Sequence, residues 1–221
     1  MSGPSGAPSD ERPVGIPAGQ ETLEGSLHIP DRAQGVVLFA HGSGSSRHSP
    51  RNRYVAGVLR DAGLATLLTD LLTPAEEAVD VRTQHLRFDI PFLARRLAAA
   101  TDWLMQDAQT QRLRVGYFGA STGAAAALVA AADRPNTVGA IVSRGGRPDL
   151  AQPVLAGVRA PTLFIVGGND APVIAMNREA LARLQVEKDL VIVPGASHLF
   201  EEPGALEEVA RLATAWFRRY V

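Results

Sequence analysis

The sequence contains no cysteine. This excludes a disulfide framework, a thiolate nucleophile, a thiolate-ligated zinc or iron–sulfur site and a CxxC redox pair. Any covalent catalysis must use an oxygen or nitrogen nucleophile. An excess of charge of one sign is missing too. The 22 Lys+Arg and 23 Asp+Glu leave a net charge of −1, which argues against a protein whose main work is holding nucleic-acid phosphates or anionic lipid. Long apolar runs are absent. The most apolar stretch, Gly123 to Ala132, is short and Ala-rich, about half of what a bilayer span needs. The N-terminal MSGPSGAPSDERP has no basic region followed by an apolar one, so a cytoplasmic protein without a secretory signal is expected. His28, His41, His48, His85 and His198 show no ligand spacing such as HExxH, and no metal is expected. Neither GxGxxG nor GxxxxGK[ST] occurs, so no nucleotide cofactor is expected either.

What is present is an ordinary globular composition. Hydrophobic residues make up 46% and charged residues 20% of 221, a chain long enough to bury roughly 70% of its unfolded surface without covalent staples. Residues 1–12, rich in Ser, Gly and Pro, read as a disordered tail, and 13–221 as one domain. Leu23–Ile29 reads as a strand paired with Pro13–Pro17 in a hairpin. Gly35–Ala40 (GVVLFA) is a continuous apolar run, the mark of a strand buried on both faces. Helical and strand patterns then alternate. Arg53–Ala62 is helical, with Gly63 just past its end, and Leu64–Asp70 is a strand. Asp89–Ala108 is a long amphipathic helix with Asp89 as N-cap and Pro91 in its first turn. Arg112–Phe118 is a strand and Thr122–Ala132 a small-residue helix. Val138–Ser143, Thr162–Val166 and Leu190–Pro194 are strands; Val173–Leu184 and Leu206–Tyr220 are helices. Strands separated by helices imply a parallel sheet with helices on both faces, an α/β fold.

Four features fall at strand C-terminal ends, where open α/β sheets place their sites. Gly119-Ala120-Ser121-Thr122-Gly123 is a GxSxG pentapeptide between a strand and a helix, the context of a nucleophile elbow. Its turn is too tight for bulky residues two positions from the serine. Asp170 follows Phe164-Ile165-Val166-Gly167-Gly168-Asn169, and His198 ends Pro194-Gly195-Ala196-Ser197. Alone, each reads equally well as a turn acid or a surface histidine. Together, Ser121, Asp170 and His198 keep the chain order of a hydrolase triad: nucleophile, orienting acid and general base. Asp149, at the end of the preceding strand, competes with Asp170. The fourth feature, His41-Gly42-Ser43-Gly44, suits an oxyanion-hole loop. Its donor would be the Ser43 N–H, with Gly44 the alternative, and the second donor the Thr122 N–H.

These segments, with PGASHLFEEPGALEEVA near the end and SRGGRPD at 143–149, resemble the dienelactone hydrolase type of α/β-hydrolase from about Pro13 onward. The resemblance is to short bacterial members, some of them fused to phosphoribosyltransferase domains. It implies an eight-stranded, mostly parallel sheet and an acyl-enzyme mechanism. One departure matters: the founding members use cysteine where this chain has Ser121, which favours a general serine esterase over dienelactone chemistry.

Arg47, Arg51, Arg53 and Arg144 are candidates to face the mouth of the site. Gly44, Arg51 and Arg144 are carried forward as candidate substrate contacts, Arg144 with one other arginine gripping a substrate carboxylate. His48 should face solvent; Trp103 and Trp216 should be core. The longest excursion expected, Arg144 to Ala160, is short for a lid, so an open cleft and small or flexible substrates are expected. The function expected is a cofactor-free serine hydrolase of small-molecule carboxylic esters. It would act as a monomer or homodimer, without nucleic-acid or membrane partners. The alternatives are acyl transfer or perhydrolysis on the same triad, or a non-catalytic binding module.

Overall fold

The computed structural model describes residues 11–221. Most of the expected N-terminal tail therefore lies outside the described residues. Its last two positions are ordered: Arg12 opens the first strand and pairs with Asp107 (3.1 Å), and Glu11 pairs with Arg53 (3.0 Å).

Eight strands form one sheet: β1 (Arg12–Ala18), β2 (Glu21–His28), β3 (Gly35–Ala40), β4 (Ala65–Thr69), β5 (Arg114–Ala120), β6 (Val138–Arg144), β7 (Thr162–Gly167) and β8 (Lys188–Val193). Their spatial order is β1-β2-β4-β3-β5-β6-β7-β8. β1 and β2 form the antiparallel hairpin, β2 pairs antiparallel with β4, and all pairs from β4 onward are parallel. The central strands are apolar along their whole length because both faces are covered; every residue of β3, β6 and β7 is buried.

Among the described residues six α-helices cover the sheet: α1 (Pro50–Asp61), α2 (Pro74–Thr83), α3 (Ile90–Gln106), α4 (Thr122–Asp133), α5 (Ala171–Arg183) and α6 (Ala205–Tyr220). One apolar cluster joins α3, α4 and α5 to one face, through residues such as Leu97, Leu128 and Leu184. The other joins α1 and α6 to the opposite face, through Val55, Leu59, Val209 and Phe217. Trp103 and Trp216 lie at the margins of these clusters, half-buried rather than core, and the Trp216 indole reaches the Pro161 carbonyl (3.3 Å). α3 starts as its sequence dictates: the Asp89 side chain accepts from Phe92 N–H (2.9 Å), with Pro91 in the first turn.

Two elements differ from expectation. α1 begins three residues early, at Pro50, capped by Ser49. α2 was not expected at all. Its only fully buried side chain is Asp80, so it carries no apolar period to read. A local sign was present: Thr73 and Glu76 form a reciprocal capping box, with Glu76 Oε2 accepting from Thr73 N–H (2.8 Å). With a 3-10 turn at Leu86–Phe88, α2 makes residues 70–89 the longest excursion beside the site. Segment 145–161 instead folds as a 3-10 helix (Pro148–Gly157), with Ala151 and Leu155 joining the cluster of α4 and α5.

Candidate active site

Ser121 sits between β5 and α4 with φ 51° and ψ −122°. This is a left-handed conformation that costs a non-glycine residue about 1–3 kcal/mol and marks a functional turn. Its flanking glycines are steric necessities. A Cβ at Gly119 would lie 2.4 Å from Ala124 Cα, and one at Gly123 only 2.2 Å from the Ala40 carbonyl oxygen. The Ser121 N–H donates to the Arg144 carbonyl (3.3 Å), and the Ser121 carbonyl accepts from Arg147 N–H (3.1 Å). The strained serine is thus held by backbone from the end of β6 and the loop after it, and the residue is half-buried at the top of the sheet.

Asp170 and His198 come together. His198 Nδ1 lies 2.6 Å from Asp170 Oδ2, a charge-assisted distance. Asp170 occupies the N-cap position of α5, yet its side chain makes no cap bond. The carboxylate is turned to the histidine instead. Gly167 and Gly168 let the two loops touch: a Cβ at Gly167 would lie 2.4 Å from the carbonyl oxygens of both Ala196 and Ser197. Asn169 completes the brace, its N–H donating to Ala196 O (2.9 Å) and its Nδ2 to Gly195 O (2.8 Å). Asp149, the competing acid, is bound bidentately by Arg147 (2.9 and 2.7 Å) and does not reach the histidine. Ser121 Oγ forms no hydrogen bond to His198 in this structure; such bonds often close only with substrate.

The HGSG loop passes over Ser121. A Cβ at Gly42 would lie 3.0 Å from Ser121 Cβ. Burial lowers the pKa of His41 and keeps its imidazole neutral. Nε2 accepts from Leu71 N–H (3.0 Å), which leaves the proton on Nδ1 to reach Gly42 O (3.0 Å). His41 therefore clamps the loop after β3 to the loop after β4. The Ser43 N–H, the expected oxyanion donor, is in use: it donates to Thr122 Oγ1 (3.1 Å), and the two hydroxyls lie 3.0 Å apart. The Thr122 side chain thus ties this loop to α4. The pentapeptide motif did not reveal that role, because x positions carry no constraint in it. The N–H groups of Thr122 and Gly44 have no partner among the described residues.

Beside this loop lies a cleft of about 310 Å3 lined by His41, Gly44, Asp70, Leu72, Thr73 and Glu77. A smaller extension of it reaches Ser43, Thr122, Arg87 and Leu93. The α2 segment is its outer wall.

The four arginines divide. Arg47 is bound by Asp70 and Glu24, and Arg53 by Glu11; both are structural. Arg51 pairs at 3.3 Å with the exposed Glu201. Arg144 is 8% exposed. Desolvation, then the positive charge of Arg51, push its pKa down to about 10. His48 is exposed, as expected. Among the described residues no cluster of His, Asp and Glu is arranged to hold a metal ion, and no helix is long and apolar enough to cross a membrane.

A parallel sheet that delivers a strained serine, a carboxylate and a histidine in that chain order is an α/β-hydrolase. More particularly, the chain belongs to the dienelactone hydrolase family, whose sequence model matches residues 23–220. A crystal structure of a dienelactone hydrolase from Anabaena variabilis is 66% identical; the match covers 96% of this chain and 98% of that one, with a TM-score of 0.95. A Mycobacterium tuberculosis protein bearing the provisional name phosphoribosyl transferase is 57% identical over 210 residues, which cover 95% of this chain but 46% of that protein. The chain thus spans about half of that relative's length. At the level of fold alone, an α/β serine hydrolase without a lid from Xanthomonas campestris matches with a TM-score of 0.74 at 21% identity, over 96% of each chain. The large lid that the sequence did not call for is likewise not seen here.

Proposed function

We propose that this hydrolase cleaves carboxylic esters through an acyl-enzyme on Ser121. The 2.6 Å bond between His198 Nδ1 and Asp170 Oδ2, beside the strained Ser121 elbow, carries this reading. With Nδ1–H donated to Asp170, the other ring nitrogen, Nε2, is an acceptor. It takes the Ser121 proton as Oγ bonds to the ester carbon. The carbonyl π electrons move to oxygen, and the Thr122 N–H is free to hold that oxyanion. The second donor is the Ser43 N–H once Thr122 Oγ1 yields it, or the Gly44 N–H. When the tetrahedral intermediate collapses, His198 returns the proton to the leaving alcohol. Water, deprotonated by His198, then releases the acid.

The name of the mycobacterial relative does not carry over. That protein is more than twice as long as the matched region, and the serine, histidine and acid here are equipped for acyl chemistry. The test is turnover of p-nitrophenyl esters of varied acyl length by wild type and Ser121→Ala. Wild type should hydrolyse short esters, and the variant should lose at least about 1000-fold in kcat. Absence of turnover across the panel, or full turnover by the variant, overturns the proposal.

A further inference from the structure

The least compensated charge in the described structure is Arg144, which no step above uses. Its Nε and Nη1 are buried and bonded to nothing. A buried cation without a partner is costly, and native proteins rarely keep one without use for it. Arg144 lies at the end of β6, next to the site: its carbonyl accepts the Ser121 N–H, and the following residue, Gly145, is packed against the His198 ring. Two residues beyond Val142 on the strand, its side chain projects from the same face, the one covered by α1 and α6.

The neighbouring charge on that face is a second cation. Arg51 stands in the first turn of α1 with its Nε also buried and unbonded. Its backbone N–H is a first-turn donor without a partner; Asn52 N–H is taken by the Ser49 side chain and Arg53 N–H by the Ser49 carbonyl. Arg51 is paired with the exposed Glu201 (3.3 Å), and among the described residues no acid, Glu202 included, forms an ion pair with Arg144.

We propose that Arg144 and Arg51, with the N-terminus of α1, form a subsite for a phosphate group carried by the substrate, on the β6 side of Ser121. Two guanidinium forks and a helix N–H offer more donors than the two oxygens of a carboxylate use, and the uncompensated charge of Arg144 draws an anion to them. The word substrate rests on the hydrolase reading; binding of phosphate itself does not.

The test uses inorganic phosphate at constant ionic strength, because exposed charges are screened by salt. Phosphate should bind wild type in calorimetry, raise its Tm and compete with p-nitrophenyl acetate. Arg144→Gln and Arg51→Gln should each weaken binding by about 10-fold or more, the loss of a charged hydrogen bond. In acyl chains of matched length, the kcat/KM ratio of phosphate-bearing to neutral ester should be about 10 or above in wild type and fall toward 1 in both variants. Arg51 is only half-buried, so Arg51→Gln keeps the test decisive even if Arg144→Gln does not fold. Three results overturn the proposal: no phosphate binding by wild type, equal binding by the folded variants, or a larger preference for carboxylate-bearing than for phosphate-bearing esters. If no ester is turned over while phosphate binding is still lost in the variants, the hydrolase reading falls and the anion subsite stands.

Discussion

The two sides of Ser121 are built differently. On the β7–β8 side, Asp170 and His198 sit in short loops locked by backbone hydrogen bonds and by glycines that permit near contact of the chains. On the β4 side, the wall of the cleft is a helix with one fully buried side chain, the carboxylate of Asp80. That helix is tied down by charge. Arg87 Nε meets Asp80 Oδ2 at 2.5 Å, and Arg96 meets Glu76 at 2.5 Å. Val79, Val81 and Phe88 on this segment are exposed. In the proposed mechanism Asp170 and His198 need fixed distances, and the fold spends backbone contacts on them. A wall that would meet the acyl or alcohol groups of the proposed esters needs no such precision and is held by a few polar ties.

The largest expected effect is on the rigid side. Asp170→Asn should leave the fold intact and lower kcat by about 10,000-fold, because the imidazole loses its orienting charge. Asp149→Asn should change kcat little, since Asp149 is engaged by Arg147. Steady-state kinetics with one ester separates the two; equal losses would erase the distinction between the acids.

The next effect is on the cleft wall. Burial raises the pKa of Asp80, but its bonds from Arg87 and from the backbone N–H groups of Leu86 and Arg87 outweigh this and hold it below the usual value. Its stabilising contribution is therefore present above about pH 4 and is lost as pH falls through the depressed value. Asp80→Ala leaves Arg87 unpaired and should cost about 2–3 kcal/mol in denaturant unfolding. It should also raise hydrogen exchange in α2 far more than in α5. Uniform exchange across both helices would mean that α2 is held by something other than this pair.

The smallest effect is at the clamp between the loops after β3 and β4. His41 has a lowered pKa, so its clamp is complete above about pH 6.5, the unfolded value, and weakens as pH falls below it. Intrinsic-rate-corrected protection of the Leu71 amide, which donates to His41 Nε2, should decline from pH 7 to pH 5. Constant protection would show that the imidazole is not the clamp.

The same contrast governs what could be read from the sequence. The buried strands announced themselves as apolar runs, and the serine, acid and histidine as residues at strand ends in a fixed order. The sheet brings His198 Nδ1 within 2.6 Å of Asp170 Oδ2. α2 was silent because its one buried residue is charged, and apolar periodicity cannot register a helix anchored by an ion pair. The engagement of Asp149 by the Arg147 side chain could not be read from the sequence. The bond from Ser43 to Thr122 joins residues 79 apart in sequence, and neither type predicts the other. That Arg144 is buried follows from α1 and α6 lying over its face of the sheet, a tertiary fact.

The central claim is that Ser121 is the nucleophile. The most direct measurement is labelling with a fluorophosphonate, followed by mass spectrometry of the modified peptide. The structure predicts one adduct, on Ser121, lost in Ser121→Ala and slowed strongly in His198→Ala. A wild-type protein that does not label, or a Ser121→Ala variant that labels as fully as wild type, would contradict it.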